Sequence, residues 1–205
     1  MLDKILAGVD RALAYKLMLA HIIIIAISNY IVQFKIDLGG HPLSVAAFTF
    51  PLVVVLTDLT VRLIGKETGR AVINLAFIPA IIVSILIVLA GGAPESVAFR
   101  IGLGSGIAYF VSNLLDVYVF QYFREKYTTW YIAPTLSAIA STFIDTYMFF
   151  GVAFAGGADE FMSKNWYIVA TNNSISKLVI SLLVILPAYG LLLSFIQKRL
   201  GKAEN

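Results

Sequence analysis

Three carboxylates and one ammonium stand where an ionised group is costly: Asp58, Asp116, Asp145 and Lys177 each interrupt a long apolar stretch of this 205-residue chain. An ionisable residue inside an otherwise membrane-spanning helix points by default to a functional site or an internal charge pair. Amides accompany them. Asn29 and Gln33, at i and i+4, share one face of a helix, and Asn172, Asn173 and Lys177 fall at a comparable depth of another. Asp145 stands near the middle of a third. A carboxylate accepts two parallel N–H groups, while an amide or an ammonium donates to a carbonyl oxygen. An amide pair, a carboxylate and an ammonium can therefore meet at this level in one cavity open toward the outside. A plain alternative is that Asp145 and Lys177 neutralise each other while the amides tie helices together.

A second polar level comprises Asp58, Thr60 and Arg62 in one stretch and Asn113 with Asp116 in another. Asp58 and Arg62, four apart, can screen each other on one helix, and Arg62 can also snorkel to the headgroups. Asp116 meets no cation on its own helix before Arg124, so it needs a partner from another helix, a proton or a ligand. Among the aromatics, Phe50, Tyr109, Tyr118 and Tyr147 are candidates to stack on a ring. Trp130, Tyr131, Trp166 and Tyr167 sit at predicted span ends, where an interfacial belt explains them. Pro51, directly after Phe50, frees a backbone carbonyl and can open a local pocket. His21 reads as a packing residue in its span; His41, in a loop beside Pro42, reads as either a gate or a plain loop residue.

Whole classes of chemistry are excluded by counting. With no cysteine and two histidines, a disulfide framework, thiol catalysis and a three-histidine zinc site are out of reach. H-E-x-x-H, G-x-S-x-G and P-loop motifs are missing. Gly102, Gly104 and Gly106 form G-x-G-x-G, but they open an apolar span with no strand before it, so close helix packing is expected rather than a dinucleotide site. No catalytic residue, cofactor or metal is expected.

The elements that must position these residues follow from the composition, 60% hydrophobic and 13% charged. Spans of about 20 apolar residues are predicted over roughly 14–34, 43–64, 70–91, 97–123, 129–156 and 165–197. The fold class is an all-α, six-helix transmembrane bundle in a single domain. No small-x-small site follows the first span, so it reads as retained rather than as a cleaved signal. Lys4, Arg11, Lys16, Arg62, Lys66, Arg70, Arg124, Lys126, Lys198, Arg199 and Lys202 cluster on one side, against Lys35, Arg100 and Lys164 on the other. Basic loops face the cytoplasm, which puts both termini there. The net charge of +3 therefore reads as membrane topology, with no nucleic-acid partner. A Pro–Asp pattern shared by spans 2 and 5, and a Pro-Ala pair in spans 3 and 6, faintly suggest an inverted repeat.

The blocks Ser28-Asn29-Tyr30-Ile31-Val32-Gln33, Ala47-Phe48-Thr49-Phe50-Pro51, Thr57-Asp58-Leu59-Thr60-Val61-Arg62, Leu115-Asp116-Val117-Tyr118-Val119-Phe120, Ala133-Pro134-Thr135 and Asp145-Thr146 resemble the queuosine precursor transporters of the vitamin uptake transporter family. The similarity runs from about His21 to Gln197. The resemblance implies a multi-pass carrier of the bacterial inner membrane that imports 7-deazaguanine bases such as preQ0 and preQ1 by alternating access. It also implies a fold like the substrate-binding subunits of energy-coupling-factor transporters, although the family is thought to act without the ATPase module. On that reading Asp145 or Asp116 takes the base's amidine-like edge; Asn29, Gln33, Asn113 or Lys177 serves the carbonyl and pyrrole side; Phe50 or a tyrosine stacks. Asp58 joins this binding set, and Arg62, His41 and Pro51 take structural or gating roles. Membrane lipid is the other partner, and a homodimer is left open. Two alternatives stand beside the carrier: an energy-coupling-factor substrate-binding subunit, and an intramembrane enzyme using Asp58 and Asp116 on a lipid-like substrate.

Overall fold

A computed structural model describes residues 2–31, 34–38 and 41–200. A short helix α1 (Leu2–Ile5) precedes α2 (Arg11–Ile31), which begins where the Asp10 carboxylate accepts a hydrogen bond from the Leu13 amide at 3.1 Å. Two four-residue strands follow, β1 (Lys35–Leu38) and β2 (His41–Ser44), paired antiparallel with Lys35 opposite Ser44 and Leu38 opposite His41. The second span is broken into α3 (Ala46–Thr49) and α4 (Pro51–Leu63). Then come α5 (Lys66–Ala90), α6 (Glu95–Lys126) and α7 (Ile132–Phe154). The last span comprises α8 (Glu160–Ile180), a π turn (Ser181–Ile185) and α9 (Leu186–Leu200). Six of these helical segments, counting α3 with α4 and α8 with α9, are long and apolar enough to cross a membrane.

The β-hairpin is the departure from an all-helical reading. Its strands are too short to show alternation, and Pro42, which cannot donate to a ladder, reads as a loop residue; on a two-stranded ribbon every strand is an edge, where proline is tolerated. The breaks in spans 2 and 6 have a common cause. Pro51 has no N–H to give to the preceding turn, so α3 ends before it and α4 restarts with proline in its first turn. Pro187 likewise removes a donor just after the π turn, and the Leu186 amide instead bonds back five residues to the Ser181 carbonyl.

The packing is inside-out by the standards of a water-soluble protein. Leu19, Ile23 and Ile27 on α2, and Ile78, Ile82 and Leu86 on α5, form outward apolar stripes at helical spacing. The buried positions include Ser28, Thr57, Asp58, Ser84, Ser112, Asp116, Ser137 and Thr146. A surface this apolar fits a hydrocarbon environment. At the centre, α6 packs against α5, α7 and α4. Its glycines make this possible: a Cβ on Gly102 would lie 2.9 Å from the backbone nitrogen of Ile85, and one on Gly106 would run into the Ile81 side chain. Gly104 turns the other way, onto Phe149 and Ala153 of α7. The G-x-G-x-G run therefore clamps one helix between two neighbours.

Candidate functional site

Among the described residues the bundle holds a cavity toward the hairpin side and another toward the side of the chain ends. The larger has a volume of about 170 Å³ and is walled by spans 1, 2, 4, 5 and 6, with one residue, Val88, from span 3. A dry cavity of about 150 Å³ is enough to admit a benzene ring, so this one has the size for a small aromatic solute. Asn29, Phe50, Pro51, Asn113, Asp145 and Lys177 all line it. Gln33 lies outside the described residues, and of His41 only the backbone in β2 is described.

Lys177 Nζ donates to Asp145 Oδ2 at 3.0 Å and to Thr146 Oγ1 at 3.3 Å. The two charged side chains are 16% and 31% exposed, so the pair is shielded enough to matter and open enough to exchange partners. Asp145 Oδ1 makes no hydrogen bond among the described residues. The ammonium also sits over the Phe50 ring, 5.1 Å from its centroid, a cation–π contact that puts charge and stacking surface side by side. Asn29 Nδ2 donates to Ser84 Oγ at 2.7 Å, and Ser84 passes a hydrogen bond to Ser105 at 3.3 Å. This chain fixes the amide and leaves its carbonyl oxygen available.

Asn113 sits differently from the sequence reading, which grouped it with Asp58 and Asp116. It lines the larger cavity, yet its amide is committed to protein: Nδ2 donates to the Tyr109 carbonyl at 2.8 Å, and Oδ1 accepts from Thr57 Oγ1 at 3.3 Å. It ties α6 to α4 at the cavity wall. Tyr109, another lining residue, is held by His21 Nδ1 at 2.8 Å from its hydroxyl. His21 is buried and serves packing. The composition of the wall adds Ser105, Ser112, Thr142, Phe149 and Phe150, none of which stood out in the sequence; small hydroxyls and phenylalanines in an apolar span carry no signal beyond their position.

The smaller cavity, about 40 Å³, is lined by Asp58, Thr135, Ser181 and Tyr189 among others, and shares Pro51, Val54 and Thr142 with the larger. Asp116 lines neither cavity. It lies buried beside Asp58, close enough for their carboxyl groups to interact, with Ser137 of α7 near both and Ser141 near Asp116. Neither oxygen of Asp116 nor Oδ1 of Asp58 completes a hydrogen bond among the described residues. Arg62 lies near Asp58, and its Nη1 reaches the Trp130 carbonyl at 3.4 Å. Arg124 Nη1 reaches the Val61 carbonyl at 3.3 Å.

Trp130 corrects the belt reading for that residue. It stacks on Tyr189 at 6.3 Å between centroids and covers Gly190, where a Cβ would come within 2.5 Å of its ring. Trp166 also turns inward, meeting Tyr147 edge-on at 6.3 Å. Tyr131 and Tyr167 are exposed, as belt residues are. Among the described residues no group of three or more His, Cys, Asp or Glu could hold a metal ion.

Two broken helices meeting around a largely apolar cavity that holds one charged pair, within six spans able to cross a membrane, fit a multi-pass membrane transporter. The profile described as "Putative vitamin uptake transporter" matches residues 44–192, and the chain belongs to that family. It is 39% identical over 203 residues to a "Probable queuosine precursor transporter" of Haemophilus influenzae, covering 88% of this chain and 86% of that protein. It is 35% identical over 196 residues to the "Queuosine precursor transporter" of Escherichia coli K12, covering 90% of this chain and 88% of the relative. No solved structure gives a significant match.

Proposed function

We propose that this chain imports 7-deazaguanine precursors of queuosine across the bacterial inner membrane, as a carrier that works by alternating access without an ATPase module. The observation that carries the reading is the Asp145–Lys177 pair in a base-sized cavity beside Phe50 and Asn29. A deazaguanine offers a ring N–H and an amino group on one edge, which Asp145 accepts as a bidentate pair when Lys177 releases it. Lys177 then donates to the base carbonyl, Asn29 accepts from the pyrrole N–H, and Phe50 stacks on the ring. Opposite charges that satisfy each other in the empty site, and the base's edge in the loaded one, spare the membrane an uncompensated charge in either state. The basic residues on the side of the chain ends support cytoplasmic termini, so the larger cavity lies toward the outside.

The moving parts follow from the packing. The close approach of Gly102 on α6 to the Ile85 backbone on α5, with Gly106 against the Ile81 side chain, leaves little slack between spans 3 and 4, which argues against a simple rocking of spans 1–3 against 4–6. Spans 2 and 6 carry the proline break and the π turn, and both line both cavities. They are the elements that open one side and close the other. The test is the queuosine content of tRNA in cells unable to make the precursors, fed each base with and without this protein. Restoration only in cells carrying the chain is expected at low external base concentration; equal content with and without it would overturn the reading.

A further inference from the structure

We propose that Asp58 and Asp116 form a proton-binding site that couples base import to inward proton movement; the inference rests on the transport reading above. Both carboxyls are enclosed, 2% and 0% exposed, yet three of their four oxygens complete no hydrogen bond among the described residues. The hydroxyls of Ser137 and Ser141 lie alongside, but incompletely satisfied buried acceptors are destabilising, and two carboxylates side by side also repel. A single proton held between them answers both: it turns one carboxylate into a hydroxyl donor and the other into its acceptor. The groups facing the pair are Arg62 on the helix of Asp58, Ser137 and Ser141 on α7, and Tyr189 on α9, which itself lies beside Arg62 and within reach of the charge of Arg124 on α6.

Geometry links the pair to the base site. Thr57 and Asp58 are adjacent on α4, and Asn113 and Asp116 lie one turn apart on α6. The Thr57–Asn113 hydrogen bond at the cavity wall and the Asp58–Asp116 contact beneath it are therefore successive rungs between the same two helices. A base pressing on the upper rung and a proton holding the lower one bias one interface. The smaller cavity at Asp58 has room for a water, which supplies a route for the proton toward the side of the chain ends. Each cycle takes up one proton on a carboxylate when movement of spans 2 and 6 opens the pair to the outer cavity, and returns it to water in the smaller cavity on the inner side.

The experiment uses the full chain in proteoliposomes with radiolabelled deazaguanine base. With the membrane potential clamped at zero, one unit of inward proton gradient should drive about tenfold accumulation at one proton per base. A pH dye trapped in the vesicles should report acidification when base is added. Asp116→Asn should abolish accumulation above the external level while keeping exchange of labelled for unlabelled base, which needs no net proton movement. Asp58→Asn serves if that variant does not fold, and the wild-type dye signal stands independently of both. Wild-type exchange without proton-driven accumulation or dye response, accumulation driven by sodium alone, or full accumulation by Asp116→Asn would overturn the coupling. Absence of any exchange in the wild type would defeat the transport reading, and the coupling with it.

Discussion

The two polar levels of this bundle use the same residue type in opposite ways. Asp145 is matched by an ammonium across a helix boundary, is partly exposed, and faces a cavity. Asp116 is matched by another acid, is fully enclosed, and lines neither of the two cavities described. Charge in a membrane interior is tolerated when paired, neutralised by a proton or wetted. The first pair uses opposite charge, and that arrangement can be traded for a ligand's own donors and acceptor. The second pair has nothing to trade with a base, and its geometry suits a smaller occupant. What separates a solute site from an ion-coupling site in this molecule is the partner each carboxylate has been given, and not the carboxylate itself.

The sharpest break in that contrast is Asp145→Asn. Removing the charge-assisted pair of bonds to a base should cost about 1.5–3 kcal/mol, a tenfold to hundredfold weaker binding by equilibrium titration of the purified protein; unchanged affinity would take Asp145 out of the site. Gly102→Ala strikes the frame beneath both levels. One methyl against the Ile85 backbone should cost about 1–3 kcal/mol of stability, visible as a lower thermal midpoint in detergent. Phe50→Ala should weaken base binding by about 0.5–1.5 kcal/mol and leave protons moved per base unaltered, so a change in stoichiometry would blur the division between the levels. The smallest effect is expected from Thr57→Val. Loss of one interhelical hydrogen bond costs about 0.6 kcal/mol, with stability nearly unchanged and looser coupling in the vesicle assay.

Much of this was legible in the residues, and the rest had identifiable reasons for being hidden. Six apolar runs separated by short connections, four of them marked by glycine, announce six spans, because length and lack of charge are the main requirement. The meeting of Asp145 and Lys177 followed from depth alone. The hairpin was concealed by brevity, although Gly39-Gly40 between two short flanks is itself a hairpin spacing. Asn113 stands one turn from Asp116 and also on the wall of the larger cavity, and depth alone did not show its bond to Thr57, which crosses 56 positions of sequence. The adjacency of Asp58 and Asp116 has the same character. Depth set Asp58 and Asp116 at one level, but which helix faces turn together is decided by the tertiary packing of α4, α6 and α7, and that makes them a pair.

The π turn at Ser181–Ile185 amounts to one residue of spare chain wound into span 6. In a regular helix each residue adds about 100° of rotation and 1.5 Å of rise. Drawing that slack out, or passing it along, would turn α9 like a crank and lift it by about the same step. Tyr189 and Gly190, now flat against Trp130, would sweep away from it together, and the floor beneath Asp58 would open without any helix having to unfold.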